Sequence, residues 1–319
     1  MPPPLSGLRL RARMPLESLV AAFGGSAPTR AFELAVERIV LGRDAQMELM
    51  LPTDLAVVAH PRHLPARPGA GVFLTSGTLR RRLPDAHCWE HTHPMWVLAG
   101  LLEMTSEVPA TAEGPGWDGP ASRAGTTIAD SAVVSADASI GPGSVVEPQA
   151  VIYPGVKLGR SVHVGAGAVI GRPGFGWAFG PDGSRRRMPQ RGGVVLEDDV
   201  EVGPLCTIDS GTITPTRIGA RTALDAHVHV GHNVTIGCDC LVAAQAGFAG
   251  SVRIGDRARI GGKAGCSDNV TLGDDVHVAA KAGVIRDVPD GQAVAGFPAV
   301  PRTRWLAAMA HLLRKKPGP

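Results

Sequence analysis

The sequence predicts a mainly β protein: a parallel β-helix of hexapeptide repeats, with a small α/β domain ahead of it and a short helix behind. Three observations predict this. From Ile128 onward an aliphatic residue recurs at every sixth position. A small or β-branched residue stands four positions after each of the first seven. The composition suits small aliphatic layers: Gly 41, Pro 27 and 4% aromatic residues, against 44% hydrophobic residues overall.

The repeat runs through Ile128, Val134, Ile140, Val146, Ile152, Leu158, Val164 and Ile170. Ala132, Ala138, Ser144, Ala150, Val156, Val162 and Ala168 hold the small position. The period returns at Leu196, Val202 and Ile208, slips by four residues at Thr214–Arg217, and continues from Ile218 through Val230, Val242 and Phe248 to Val284. Roughly two dozen hexads are too many for chance. Period six fits neither a helix of 3.6 residues per turn nor a simple alternating strand. It fits a triangular solenoid in which each hexad is one short strand plus a turn, and three hexads close one coil. First-position side chains point inward and stack on their equivalents one coil away. Gly, Asp or Asn near each corner supplies the backbone freedom of the turn. Each buried Val, Ile or Leu contributes about 1.5–3 kcal/mol before chain entropy is counted. One coil cannot close a core, but stacked neighbours can.

The hexads break between Gly171 and Gly193. This stretch predicts a loop over 171–194 projecting from the wall, and long loops in compact folds are often functional. The expected organisation is an α/β domain over 14–105, a Pro/Gly-rich linker over 106–125, the β-helix over 126–290 and a C-terminal extension over 291–319. In the first domain, Leu16–Phe23 and Ala31–Leu41 have helical apolar spacing, Ala56–Ala59 and Gly71–Leu74 read as strands, and Pro94–Met104 as a helix. In the last, Trp305, Leu306, Met309, Leu312 and Leu313 form the apolar side of a short amphipathic helix.

A formal net charge of +3 does not suggest a nucleic-acid partner. Positive charge is local: Arg9, Arg11 and Arg13; Arg185, Arg186 and Arg187; Arg314, Lys315 and Lys316. Each cluster reads as a solvated surface or as a dock for an acidic partner. Five scattered cysteines make no disulfide framework. The repeat sends Cys238 and Cys240 to opposite sides of the wall, so they do not share a metal. The opening MPPPLSGLRLRARM lacks the apolar run of a signal peptide, and no stretch is long and apolar enough to span a membrane. A cytoplasmic protein is expected, with Met14 a candidate start.

The segments IGRPGFGW, RMPQRGGVVLEDDVEVG, CTIDSGTITPTRIG, LDAHVHVGHNVTIG, LVAAQAGFAGSVRIG, ARIGGKAG and VAGFPAVP follow one another in order. Over about residues 126–300 the chain resembles the UDP-3-O-acylglucosamine N-acyltransferases of lipid A biosynthesis, in the hexapeptide-repeat acyltransferase superfamily. The resemblance implies left-handed winding and a homotrimer. It implies transfer of a 3-hydroxyacyl chain from acyl carrier protein to the amine of a UDP-linked acylated glucosamine, with no cofactor beyond the acyl donor and no metal. It puts the general base at His232, a carboxylate that orients it at Asp225 and an oxyanion donor at Gly250. It implies substrate contacts at Phe175, Gly176, Trp177, Gln245 and Asn269, and puts His60 and His63 in the nucleotide-binding stretch. Arg302, Arg304, Arg314, Lys315 and Lys316 would face the acidic carrier.

The residues support part of this independently. An amine attacks a thioester as the free base and loses a proton as the bond forms. A positioned base is worth about 10²–10⁴-fold, and histidine suits the task because it titrates near neutrality. His232 is third in the hexad Val230–Thr235, an outward position; His227 and His229 also lean outward. Gly250 lies eighteen residues after His232, one full coil on, in the same hexad position. That is about one inter-strand spacing, ~4.8 Å, away. A glycine there opens a backbone N–H to substrate, although a turn glycine would look the same.

Departures gather on nucleotide recognition. Where the family carries an F-x-x-N-P-x-Y-like stretch, this chain has AVVAHPRHL, with Val57, His60 and His63 at the three marked places. Asn269 stands where many members have His, Ser210 replaces the Arg of TIDRG, and Ala226 replaces an Asn. Three other readings therefore stay open. One is an N-acyltransferase for a different nucleotide amino sugar with acetyl-CoA as donor. Another is a zinc-dependent solenoid using His227 and His229. The last is a non-catalytic scaffold.

Overall fold

The computed structural model describes residues 7–28, 31–40, 47, 50–105, 125–296 and 301–314. The N-terminal unit is a five-stranded sheet in sequential order: β1 (Gly7–Pro15), β2 (Ala35–Val40), β3 (Asp54–Val58), β4 (Val72–Thr75) and β5 (His87–Glu90). β1 and β2 pair antiparallel; the other pairs are parallel. Helices α1 (Leu16–Phe23), α2 (Gly77–Arg80) and α3 (Pro94–Glu103) accompany it. β3 and β4 are buried along their whole length, as parallel strands covered on both faces should be. α1 buries Leu16 and Leu19 and stops at Gly24, whose φ of 83° no β-carbon residue adopts readily.

Two expectations are corrected here. Ala31–Leu41 is not a helix: Ala31–Glu33 forms a 3₁₀ turn and Ala35–Val40 is β2. The short run AVERIV satisfies either period, and pairing with β1 and β3 on both sides decides for strand. The organised chain also begins before Met14. Gly7 and Leu8 pair with Val40 and Ile39, and Leu8 and Leu10 are buried, so a start at Met14 would remove most of an edge strand.

The repeats fold into a parallel solenoid with three faces of eight, seven and nine strands. Most of these strands are two residues long, the first outward and the second inward, as in Val133–Val134 and Thr235–Ile236. Like stacks on like: Ile152 pairs in register with Val134 below and Ile170 above. The inward residues form one continuous aliphatic core from Ala132 to Val288. The corners depart from expectation. Their left-handed residues include Leu205, Arg221, Arg257 and Lys263 as well as Asn233 and Asn269, all with φ near 60°. Glycine freedom is not required because hydrogen bonds between coils impose the conformation, as where the Ser251 N–H donates to the His232 carbonyl (2.8 Å).

The projecting segment carries an antiparallel hairpin, Trp177–Phe179 against Arg185–Arg187. Ala178 and Met188 join the core of the N-terminal unit. The Arg186 guanidinium lies 4.3 Å from the Trp96 ring of α3 and 5.9 Å from the Phe23 ring. A second contact joins the units: Arg62 donates to the Asn269 carbonyl (3.1 Å) and faces Asp287 (3.4 Å). At the far end, α4 (Arg302–Arg314) has Trp305 and Leu306 exposed. The side chains of Leu312, Leu313 and Arg314, all of Lys315 and Lys316, and linker residues 106–124 lie outside the described residues. Among the described residues no helix is long and apolar enough to cross a membrane.

Candidate active site

His232 occupies the corner after the strand His229–Val230. The four-residue slip in the repeat belongs to the coil beneath it. There the extra residues carry Thr212 and Thr214 under the corner, where they meet Asn233. The Asn233 Oδ1 accepts from the Thr212 N–H (3.1 Å) and hydroxyl (2.7 Å), while its Nδ2 donates to the Thr214 carbonyl (3.0 Å). Two backbone groups thus set which way the amide points. Its Oδ1 lies 3.1 Å from the His232 Nδ1. An amide oxygen only accepts, so Nδ1 carries the proton and Nε2 of the neutral ring is left basic.

That nitrogen faces Gly250. A methyl group on Gly250 would fall 2.5 Å from Nε2 and 2.6 Å from Cε1 of His232. Gly250 sits in the turn, but the left-handed residue there is Ser251 (φ 64°), so the turn itself does not require glycine at 250. It is small so that the imidazole can lie on it. Among the described residues its N–H donates to no protein acceptor. A ring nitrogen and an unused N–H therefore belong to neighbouring residues of one corner, the two kinds of group that acyl transfer uses.

The projecting segment crosses over this pair. Its first strand runs to Pro173, placing Arg172 opposite Asp209. At Gly174 a methyl group would fall 3.1 Å from both the His232 Cβ and the Asp209 Oδ2. Asp209 is 2% exposed; its Oδ1 lies 3.0 Å from the Arg172 Nη2, and its Oδ2 3.9 Å from the His229 Nε2. The Arg172 contact is an ion pair without hydrogen-bond alignment, and Oδ1 accepts no hydrogen bond among the described residues. Burial pushes the Asp209 carboxyl up, while the charges of Arg172, His229 and His232 pull it back. Beside Gly176, the Oε1 of buried Gln190 lies 3.0 Å from the Thr212 hydroxyl and shares that hydroxyl's one proton with Asn233, placing the base of the hairpin against the Asn233 network.

The structure thus brings together His232, Gly250 and Gly174; Gly176 packs on Met188 and Gln190 instead, and Phe175 between the two glycines is 84% exposed. Trp177 stands further out on the hairpin. Asn269 lies one coil above Gly250, its N–H on the Gly250 carbonyl (3.1 Å), and the HPRH turn reaches it through Arg62. His60 uses its Nδ1 to accept the Arg62 N–H (3.1 Å), with the His63 ring 5.8 Å away. Val57 is 3% exposed inside the N-terminal core, so no base can stack on it.

Asp225 and Gln245 lie at the preceding corner. Asp225 accepts from the Ala226 N–H (2.7 Å) and the Ala244 N–H (3.2 Å) and edges a groove of about 610 Å³ with Glu201, Leu241 and His277. Gln245 is the left-handed residue there. Within one chain, the carboxylate next to His232 is Asp209. His227 turns a corner and His229 Nδ1 pairs with the Thr207 hydroxyl (2.7 Å). Among the described residues no three His, Cys, Asp or Glu side chains gather to hold a metal. Sequence reasoning missed Asn233, Thr212, Asp209 and Gly174; the four-residue slip and the TID run were the signals that marked them.

Residues 137–172 match the family described as bacterial transferase hexapeptide (six repeats). The chain is 56% identical over 161 residues to UDP-3-O-acylglucosamine N-acyltransferase of Caulobacter vibrioides, covering 50% of this chain and 47% of that protein. It is 58% identical over 150 residues to UDP-3-O-acylglucosamine N-acyltransferase 1 of Gloeobacter violaceus, covering 47% and 42%. It is 46% identical over 180 residues to the enzyme of that name from an Anaeromyxobacter strain, covering 55% and 51%. The chain spans about half the length of the curated relatives it matches. Over that half it is a hexapeptide-repeat solenoid similar in sequence to the UDP-3-O-acylglucosamine N-acyltransferases.

Proposed function

We propose that this protein transfers a 3-hydroxyacyl chain from acyl carrier protein to the amine of UDP-3-O-acylglucosamine, a step of lipid A biosynthesis, with His232 as general base. The observation that carries this is the His232 imidazole, oriented by Asn233 and laid against Gly250 with Nε2 basic. The amine attacks the thioester carbonyl and gives its proton to Nε2. The Gly250 N–H donates to the oxyanion. Collapse of the intermediate expels the carrier thiolate, which takes the proton from Nε2. Phe175, exposed next to Gly174, flanks the acyl chain, and the HPRH turn with Asn269 holds the nucleotide end. A carrier of negative charge suits α4, which has Arg302, Arg304 and Arg314 and no acidic residue. A homotrimer would bring the Asp225 groove of one copy to the His232 corner of another.

The test is N-acylation of UDP-3-O-acylglucosamine by hydroxyacyl carrier protein. Wild type forms product and His232→Ala lowers kcat/KM by about 10²–10⁴-fold. Product formation independent of His232 sinks the reading. One observation favours a second reading, a different nucleotide amino sugar with acetyl-CoA as donor: Val57 is buried and histidines replace the nucleotide-contacting residues. Turnover with acetyl-CoA and a different UDP-amino sugar, and none with the acylated substrate, would select it.

A further inference from the structure

We infer that the outer face of the 177–187 hairpin seats this protein on an anionic lipid surface. Alternate residues of a hairpin face opposite sides. Here the inner side carries Ala178, buried, and Arg186, while the outer side carries Trp177, Phe179, Arg185 and Arg187. The usual arrangement is inverted, because the aromatic rings point to solvent and the smallest residue points to the core. Phe179 is 62% exposed and Trp177 41%. Two exposed aromatic rings on one face of a short hairpin are a patch that calls for an apolar partner.

The hairpin is anchored, so its outer face is held outward. Arg186 stacks on Trp96, and its Nη1 donates to the Trp96 carbonyl (3.4 Å). Gly180 packs so closely on the Trp96 Nε1 that a methyl group would fall 2.8 Å from it.

The same face also asks for anions. The Arg185 guanidinium lies 4.9 Å over the Trp177 ring, and neither Arg185 nor Arg187 has an acidic partner among the described residues. The hairpin's one carboxylate, Asp182, is taken up by the Ser184 N–H (3.0 Å). Aromatic rings interleaved with arginines on an anchored, outward-facing hairpin match a bilayer interface. Rings lodge at headgroup level and guanidinium groups meet lipid phosphates. The segment that carries this face also crosses His232 at Gly174, so the surface and the His232 corner are contiguous.

The test is co-sedimentation of the full chain with phosphatidylglycerol/phosphatidylcholine vesicles and with pure phosphatidylcholine vesicles. Wild type binds the anionic vesicles, more weakly as salt rises, and leaves the zwitterionic ones. Arg185→Gln with Arg187→Gln weakens binding about 25-fold, about fivefold per arginine. Phe179→Ser weakens it at every salt concentration. Arg185→Lys with Arg187→Lys retains it, as does Arg302→Gln with Arg304→Gln in α4. Wild type left in the supernatant with anionic vesicles overturns the inference, as does equal binding by the hairpin variants or loss confined to the α4 variant. Two further results do so: a change of oligomeric state in Phe179→Ser, marking an interface between copies, and loss of acyl carrier protein binding in the arginine variants without vesicle binding by wild type, marking a protein partner.

Discussion

Two corners of the same solenoid have one backbone and opposite contents. At the corner of Arg221, Asp239, Arg257 and Asp275, left-handed residues stack coil on coil as ion pairs, Arg221 on Asp239 (2.6 Å) and Arg257 on Asp275 (2.8 Å). At the corner of Asn233, Ser251 and Asn269 the φ angles are the same. There one coil carries extra residues, the wall throws out a loop, and His232 lies on a glycine. The ladder corner is what the repeat builds when nothing interrupts it. The His232 corner arises where the repeat slips and the inserted residues give a side chain something to bind. Function in this fold is a local exception to the period.

Five changes sharpen the contrast, the first four in falling order of effect. His232→Ala, already described, removes the proposed base. Gly250→Ala follows: the new methyl displaces the imidazole and covers the N–H, and kcat falls by about 10²-fold or more. Its φ is ordinary, so the melting temperature should hold; a large drop there would recast Gly250 as structural. Asn233→Gly comes next. It keeps the corner conformation and frees the imidazole, lowering kcat about tenfold with KM nearly unchanged and stability by about 1 kcal/mol. Unchanged kcat would show that Asn233 only builds the corner.

The smallest effect belongs to the ladder. Hydrogen bonds from Arg221 and Arg257 hold the Asp239 and Asp275 carboxyls below their usual range. Their contribution is present above the ordinary carboxylate range and is lost as pH falls through the depressed values. Both are exposed and screened, so Asp239→Asn with Asp275→Asn changes the melting temperature slightly, and only at low salt. Asp209 has the opposite sign. Burial raises its carboxyl, so the folded state binds the proton more tightly than the unfolded chain and loses relative stability as pH rises through that window. Asp209→Asn should remove this component from thermal melts recorded across acid pH, whereas the ladder variants leave it in place.

Much of the solenoid was legible because one short rule is repeated. Ile128 to Val284 each satisfy the same inward position, and an error at one would be corrected by the next. The N-terminal unit has no such redundancy: AVERIV fitted two periods until its neighbours chose one. At the site, the eighteen-residue coil put Gly250 level with His232, while the resemblance of the GHN segment singled His232 out. The spacing also puts Asp225 one corner earlier; resemblance, not period, associated it with His232. Asp209 and Asn233 were not singled out, because one looks like a strand residue and the other like a turn residue.

The amino-acid order alone determined the coil, its inward layers and the level of His232 beside Gly250. Those depend on contacts at a fixed, short separation that recur along the chain. Only the tertiary structure decided which nitrogen of His232 is basic, because Thr212 and Thr214 reach Asn233 from the coil below through an irregular insertion. It alone decided that Trp177 and Phe179 face outward, because Phe23 and Trp96 arrive from a different unit to claim the other side of the hairpin. Where a contact depends on one long-range encounter and no repeat, the sequence carries no period to reveal it.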